Sequence, residues 1–195
     1  MSAAPIVART TSAAATRDLA GALAGALAPG DLLLLVGDLG SDKTTFTQGL
    51  ALGLGVTDPV TSPTFTLVRA YRCGPGPVRT LLHADLYRLD RLQDVVDLGI
   101  GEMVDDQSVA VVEWGDVAAS LFGPEVLTVS LAAGPDSAAA GPLSAVHLAA
   151  GSPDGQPADA ERTLTLRLDG TWTARRATLV AALRPWTLPT DHGGA

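Results

Sequence analysis

The apolar positions along the chain fall into two kinds of run, and their order predicts an α/β protein. Asp31 to Gly37 (DLLLLVG) is a continuous apolar stretch bounded by turn residues, the pattern of a strand buried on both faces of a sheet. Ser108 to Asp116 (SVAVVEWGD) repeats that pattern and ends in acidic and aromatic residues. Ahead of the first run, TRDLAGALAGALAPG spaces leucines at 19, 23 and 27 on one helical face. Thr16 is its candidate N-cap and Pro29-Gly30 its stop. After the first run, TTFTQGLALGLG predicts a second helix from Lys43 or Thr44 to Gly53 or Gly55.

The remaining segments alternate or break. VTSPTFTLVRAYR (Val60 to Arg72) and VRTLLHADLYR (from Val78) flank CGPGP, which predicts an antiparallel hairpin. RLQDVVDLGIGEM (Arg91 to Met103) predicts a short helix ended by Gly99 or Gly101. EVLTVSLAA (Glu125 to Ala133) and RTLTLRLDG (Arg162 to Gly170) alternate as strands do, and ARRATLVAALRPW (Ala174 to Trp186) predicts a closing helix. Residues 133 to 161, rich in Ala, Gly, Pro and Ser, read as a flexible surface insertion, and 189 to 195 as a disordered tail.

Composition narrows the class. With 195 residues, 47% of them hydrophobic, the chain suits one domain spanning 1 to 188 better than two. A net charge of −8 argues against direct grip on nucleic acid, whose affinity comes from Lys and Arg on phosphates. Any RNA link would therefore pass through a partner. The one cysteine, Cys73, excludes an internal disulfide framework and fits a reducing compartment. No signal peptide and no membrane-length apolar run are present, so a soluble cytoplasmic protein with no membrane partner is expected. His83, His147 and His192 lack the spacing of a zinc site.

The chemistry concentrates after the first buried strand. GDLGSDKTT (Gly37 to Thr45) holds the chain's sole lysine, Lys43, between a strand and a helix. That is the context of a phosphate-binding loop, G-x-x-x-x-G-K-[ST], in which backbone amides and the lysine hold phosphates and the next hydroxyl ligates Mg²⁺. Gly37, Lys43 and Thr44 fit; Asp42 stands where the second glycine belongs. Asp85 and Glu113 close apolar strand-like runs, where open α/β sheets put ligand-contacting groups. Their plainer readings are a turn cap for Asp85 and a salt bridge beside Trp114 for Glu113.

GDLGSDKTTFTQGL, SPTFTLV (Ser62 to Val68), HADLYRL (His83 to Leu89) and VEWGD (Val112 to Asp116) in succession resemble the signatures of the bacterial TsaE family. Members are small P-loop ATPases of the machinery that makes N6-threonylcarbamoyladenosine at position 37 of tRNA. The resemblance covers about residues 12 to 131. It implies a P-loop NTPase fold, a central mixed β-sheet flanked by helices on both faces, with ATP and Mg²⁺ as cofactors. It implies protein partners, the subunits of the threonylcarbamoyl-transfer complex, and tRNA only indirectly. The nucleotide would lie against Gly37, Gly40, Ser41, Asp42, Lys43, Thr44 and Thr45, with Thr16 near the adenine. Thr64 in the switch-like segment would sense the γ-phosphate or a partner. Thr44 and Glu113 map onto the Mg²⁺ ligands, and Lys43, Asp85 and Glu113 onto the catalytic set, either acid being able to orient the attacking water.

Asp42 departs from the family pattern G-x-G-K-T-T. Aspartate tolerates left-handed backbone, so the loop shape can survive. Its charge is the harder matter, since a carboxylate about 5 Å from one phosphate charge costs roughly 3 kcal/mol at an effective dielectric near 20. Pairing of Asp42 with Lys43 would relieve this but divert the lysine. The expectation is ATP affinity or turnover lower by tenfold or more than in an Asp42→Gly protein. Two alternatives accompany the ATPase reading: a pseudo-ATPase scaffold whose site has decayed through Asp42, and a small-molecule kinase.

Overall fold

The computed structural model describes residues 3–63, 65–89, 91–134 and 160–187. The strands are β1 (Ile6–Thr10), β2 (Leu32–Val36), β3 (Val68–Arg72), β4 (Thr80–Asp85), β5 (Ser108–Glu113), β6 (Val126–Ala133) and β7 (Arg162–Leu168). They form one mixed sheet in the order β1-β7-β6-β2-β5-β4-β3. β2 lies at the centre, parallel to both β5 and β6, and β4 is parallel to β5. β3, β7 and β1 pair antiparallel with their neighbours.

The helices are α1 (Ala13–Ala24), α2 (Lys43–Gly53), α3 (Leu92–Asp97), α4 (Ile100–Met103) and α5 (Arg176–Leu183). The period of two along β2 explains how they are distributed. Leu33 and Leu35 point into one core with Leu19 and Leu23 of α1, Phe46 and Leu50 of α2, and Leu179 of α5. Leu32 and Leu34 point into a second core with Val95 of α3 and Ile100 of α4. An all-apolar strand is thus what a sheet covered on both faces requires.

α1 and α2 pack closely because their facing positions are glycines. A Cβ on Gly49 would strike the backbone oxygen of Arg17 and lie 2.5 Å from its Cα; one on Gly53 would lie 2.9 Å from the Cα of Gly21. Backbone cannot swing aside as a side chain can. Gly49→Ala should therefore destabilise the protein by about 2 kcal/mol or more, outweighing the roughly 1 kcal/mol gained in helix propensity. Urea unfolding checks this, and an unchanged or higher midpoint would refute it.

Several elements differ from expectation. β1 was not anticipated: its five residues are too few to display periodicity, and its partner β7 lies far away in sequence. α1 begins earlier than expected, with Ser12 rather than Thr16 as N-cap, accepting a hydrogen bond from the Ala15 amide at 3.1 Å. Its first turn is all alanine, which carries a helix without contributing a stripe. The helix expected over Arg91 to Met103 is two, α3 and α4, divided where Gly99 turns left-handed at φ 62°. α5 is shorter than Ala174 to Trp186, being preceded by a 3₁₀ turn over Gly170–Thr173. The strand-like alternation at Phe65 and Leu67 ends in a turn: Leu67 has φ 63° and Phe65 is 86% exposed. Most of the segment 133 to 161, and the tail 189 to 195, lie outside the described residues. Among the described residues, no helix is long and apolar enough to cross a membrane.

Candidate functional site

The site is assembled where the parallel strands end. The register sets Asp85 at the end of β4 beside Glu113 at the end of β5, and Glu113 beside Leu35 of β2. The loop from Gly37 to Asp42 leaves β2 at this same edge and enters α2 at Lys43. Gly37 is irreplaceable by geometry, since at φ 154° a Cβ would strike the Leu131 carbonyl and lie 2.6 Å from Ser41 Oγ. Gly40 is also left-handed, at φ 76°.

Lys43 folds back over this loop. Its ammonium donates to the carbonyls of Gly37 at 2.7 Å and Asp38 at 2.8 Å, and lies 3.8 Å from the centre of the Trp114 ring. Burial holds the ammonium below its usual pKa, against the opposing pull of Glu113, Asp85, Asp38 and Asp116. Trp114 is placed by a left-handed turn, φ 60°, followed by Gly115, where a Cβ would lie 2.7 Å from that of Leu34. Non-glycine residues rarely adopt such a backbone, and here it swings the indole under the lysine.

Thr44 and Glu113 meet directly. The threonine hydroxyl lies 2.9 and 3.1 Å from the two carboxylate oxygens and donates to them. His83, fully buried on β4, sets its Nε2 2.7 Å from Glu113 Oε1. The sequence reading set this histidine aside with the other two as lacking zinc spacing. Its available signal was the period of two, which puts His83 and Asp85 on one face of β4. Asp85 accepts from the Ser62 hydroxyl at 2.6 Å and from the Tyr87 amide at 3.0 Å, so it caps its turn and also ties down the start of the 62–68 segment.

Two other expected contacts are those of Thr16 and Thr64. Thr16 is fully buried, its hydroxyl 2.8 Å from that of Thr10 and bonded to the Ser12 carbonyl, so the group is committed inside the protein. Thr64 lies outside the described residues. Ser41 and Thr45 are buried in and behind the loop.

Asp42 does not pair with Lys43. Its carboxylate turns away and meets Arg162, Nε to Oδ2 at 2.9 Å, with both side chains 1% exposed. The backbone at 42 is left-handed, φ 70° and ψ 27°, the conformation a glycine would supply. The loop thus keeps its shape and its lysine, and the Asp42 carboxylate faces a guanidinium that sequence spacing gave no means of placing there.

Comparison with known proteins assigns the family. The family model for "Threonylcarbamoyl adenosine biosynthesis protein TsaE" matches residues 10–139. The chain belongs to the TsaE family. The tRNA threonylcarbamoyladenosine biosynthesis protein TsaE of Bacillus subtilis is 41% identical over 121 residues, covering 62% of this chain and 73% of the relative. Its counterpart in Streptomyces coelicolor is 48% identical over 102 residues, covering 51% of this chain and 67% of the relative. The crystal structure of B. subtilis YdiB superposes with a TM-score of 0.65 at 30% identity, over 95% of this chain and 97% of that one. The fold is α/β of the P-loop NTPase kind.

The residues present fit a triphosphate and Mg²⁺. The first amides of α2 have no intrahelical acceptor, and the Asp42 side chain makes no capping hydrogen bond to them. Among the described residues there is no group of three or more His, Cys, Asp or Glu poised around a metal. One hydroxyl and one carboxylate, Thr44 and Glu113, suit Mg²⁺ bound chiefly through phosphates and water.

Proposed function

We propose that this TsaE-family protein serves tRNA N6-threonylcarbamoyladenosine biosynthesis as an ATP-binding and ATP-hydrolysing subunit that switches a transferase complex in the cytoplasm. The observation that carries the reading is the convergence of Lys43, Thr44 and Glu113 at one sheet edge beneath an intact left-handed loop.

In this reading the loop amides from Gly37 to Thr45 and the Lys43 ammonium bind the phosphates. Lys43 exchanges the carbonyls of Gly37 and Asp38 for phosphate oxygens. Thr44 and Glu113 would hold Mg²⁺, which when bound would supply neutralisation of charge on the phosphate oxygens. Asp85 orients the attacking water: the water oxygen bonds to the γ-phosphorus, the bond to the bridging oxygen breaks, and ADP leaves with the electron pair. The proton released by the water ends on phosphate or solvent. The Ser62 to Asp85 hydrogen bond links this centre to the segment Ser62 to Val68, with Thr64 inside it, whose order would report the γ-phosphate to partner subunits. Those partners are the protein subunits of the threonylcarbamoyl-transfer complex, and tRNA is reached through them.

Titration calorimetry with Mg·ATP tests the reading together with phosphate release in the presence of the partner subunits. Saturable binding and ATP-dependent release are expected. Absence of both would end it, whereas binding without release would favour the pseudo-ATPase scaffold.

A further inference from the structure

Asp42 occupies the N-cap of α2, yet does not cap it. An aspartate at this position ordinarily accepts hydrogen bonds from the second or third amide of its helix, here Thr44 or Thr45. Those amides belong to the surface where a phosphate would sit, so a capping carboxylate would compete with the nucleotide directly. The carboxylate instead meets Arg162, the first residue of β7, which enters the space behind the loop from a strand remote in sequence.

We propose that Arg162 is a positioning residue for the phosphate loop, withdrawing the Asp42 carboxylate from its own helix and so leaving the α2 amides open to an anion. The pair is a substitute for the glycine found at this point of the motif. Asp42 supplies the left-handed backbone at φ 70°, and Arg162 removes the charge that comes with it. The contact is an ion pair rather than a linear hydrogen bond, because the Nε–H direction misses the carboxylate oxygen. Its strength therefore rests on charge in a buried setting, which is where loss of one partner is felt most. Thr45 Oγ1, 3.4 Å from Asp42 Oδ1, is the one additional side-chain hydrogen bond to the carboxylate among the described residues. Arg162 also donates from Nη1 to the Glu161 carbonyl, which fixes the guanidinium at the start of its strand. The pairings of Arg162 with Thr10 and Ala133 set it between β1 and β6, so the loop is braced by the sheet itself.

This inference rests on the nucleotide reading, and the test separates the two. Mg·ATP affinity is measured by calorimetry for the full chain, Arg162→Met, Asp42→Gly and the double variant. Arg162→Met should bind at least tenfold more weakly than wild type, and Asp42→Gly/Arg162→Met should return to within threefold of it. A merely structural role predicts weaker binding in neither or in both. Affinity within twofold of wild type in Arg162→Met, or a double variant no better than that single one, would overturn the proposal. Should Arg162→Met not fold, Arg162→Lys and Arg162→Gln decide: lysine should hold affinity within threefold and glutamine lose tenfold, and equal values would refute it. If no protein of the series binds Mg·ATP, the functional reading falls and amide hydrogen exchange takes over. Slowed exchange at Thr44 or Thr45 in Arg162→Met shows the released carboxylate capping α2. Exchange unchanged from wild type at both amides overturns the inference.

Discussion

Glu113→Ala is expected to lower the Mg²⁺-dependent rate of ATP hydrolysis by about 10³-fold, the loss typical when a group aimed at transition-state charge is removed. Glu113 ends a strand buried along its whole length, and its carboxylate contacts Thr44 on α2 and His83 on β4. It is the hinge of the centre. In the proposed reading the substitution removes a Mg²⁺ ligand, and it also strands the Thr44 hydroxyl and the buried imidazole, each of which costs about 1–3 kcal/mol when left without a partner. Stability should therefore fall with activity, and a second variant must separate them. Glu113→Gln keeps the volume and an amide oxygen for Thr44, so its melting temperature should stay near wild type while the rate falls as far. Phosphate release at saturating Mg·ATP with the partner subunits, alongside thermal unfolding, provides both readings. A rate within tenfold of wild type in Glu113→Gln would remove Glu113 from the chemistry.

The parts of this centre legible in the sequence are those encoded locally. The loop Gly37 to Thr45 is short and lies between an apolar run and a helical pattern, so Lys43 and Thr44 could be placed from the string alone. Asp85 and Glu113 were found because apolar strands announce their own ends. What stayed hidden depends on pairs distant in the chain. Arg162 reads as one polar position in an alternating strand, and only the order β1-β7-β6-β2 brings β7 within reach of the loop. His83 reads likewise, and its contact with Glu113 exists only because β4 and β5 are adjacent and parallel. Backbone special cases were equally silent: nothing in SPTFTLV announces a left-handed Leu67, nor VEWGD a left-handed Trp114. Thr16 was misjudged for the opposite reason, a local signal overridden by a better cap four residues earlier.

Lys43→Ala should weaken ATP binding by at least 100-fold, equivalent to about 2.8 kcal/mol at 1.4 kcal/mol per tenfold. Two losses combine. The variant removes the only lysine, whose charge-assisted bonds to phosphate exceed neutral ones in strength. It also removes the tie that gathers the carbonyls of Gly37 and Asp38 over Trp114, loosening the cradle itself. Lys43→Arg distinguishes these, because a planar guanidinium keeps the charge but cannot place three donors within the same turn. An arginine variant tenfold or more weaker than wild type would show that position matters beside charge. The acidic ring adds a pH signature. Burial lowers the Lys43 pKa, and Glu113 is the foremost of the charges that raise it again. An ammonium is present below its folded-state pKa and lost as pH rises through it, so binding should decline towards alkaline pH. Glu113→Gln removes the largest of the raising charges, so its decline should begin at a lower pH than in wild type. Calorimetric titrations of ATP across the alkaline range would show this, and superimposable profiles for the two proteins would mean that Lys43 and Glu113 are not electrostatically coupled in the binding step.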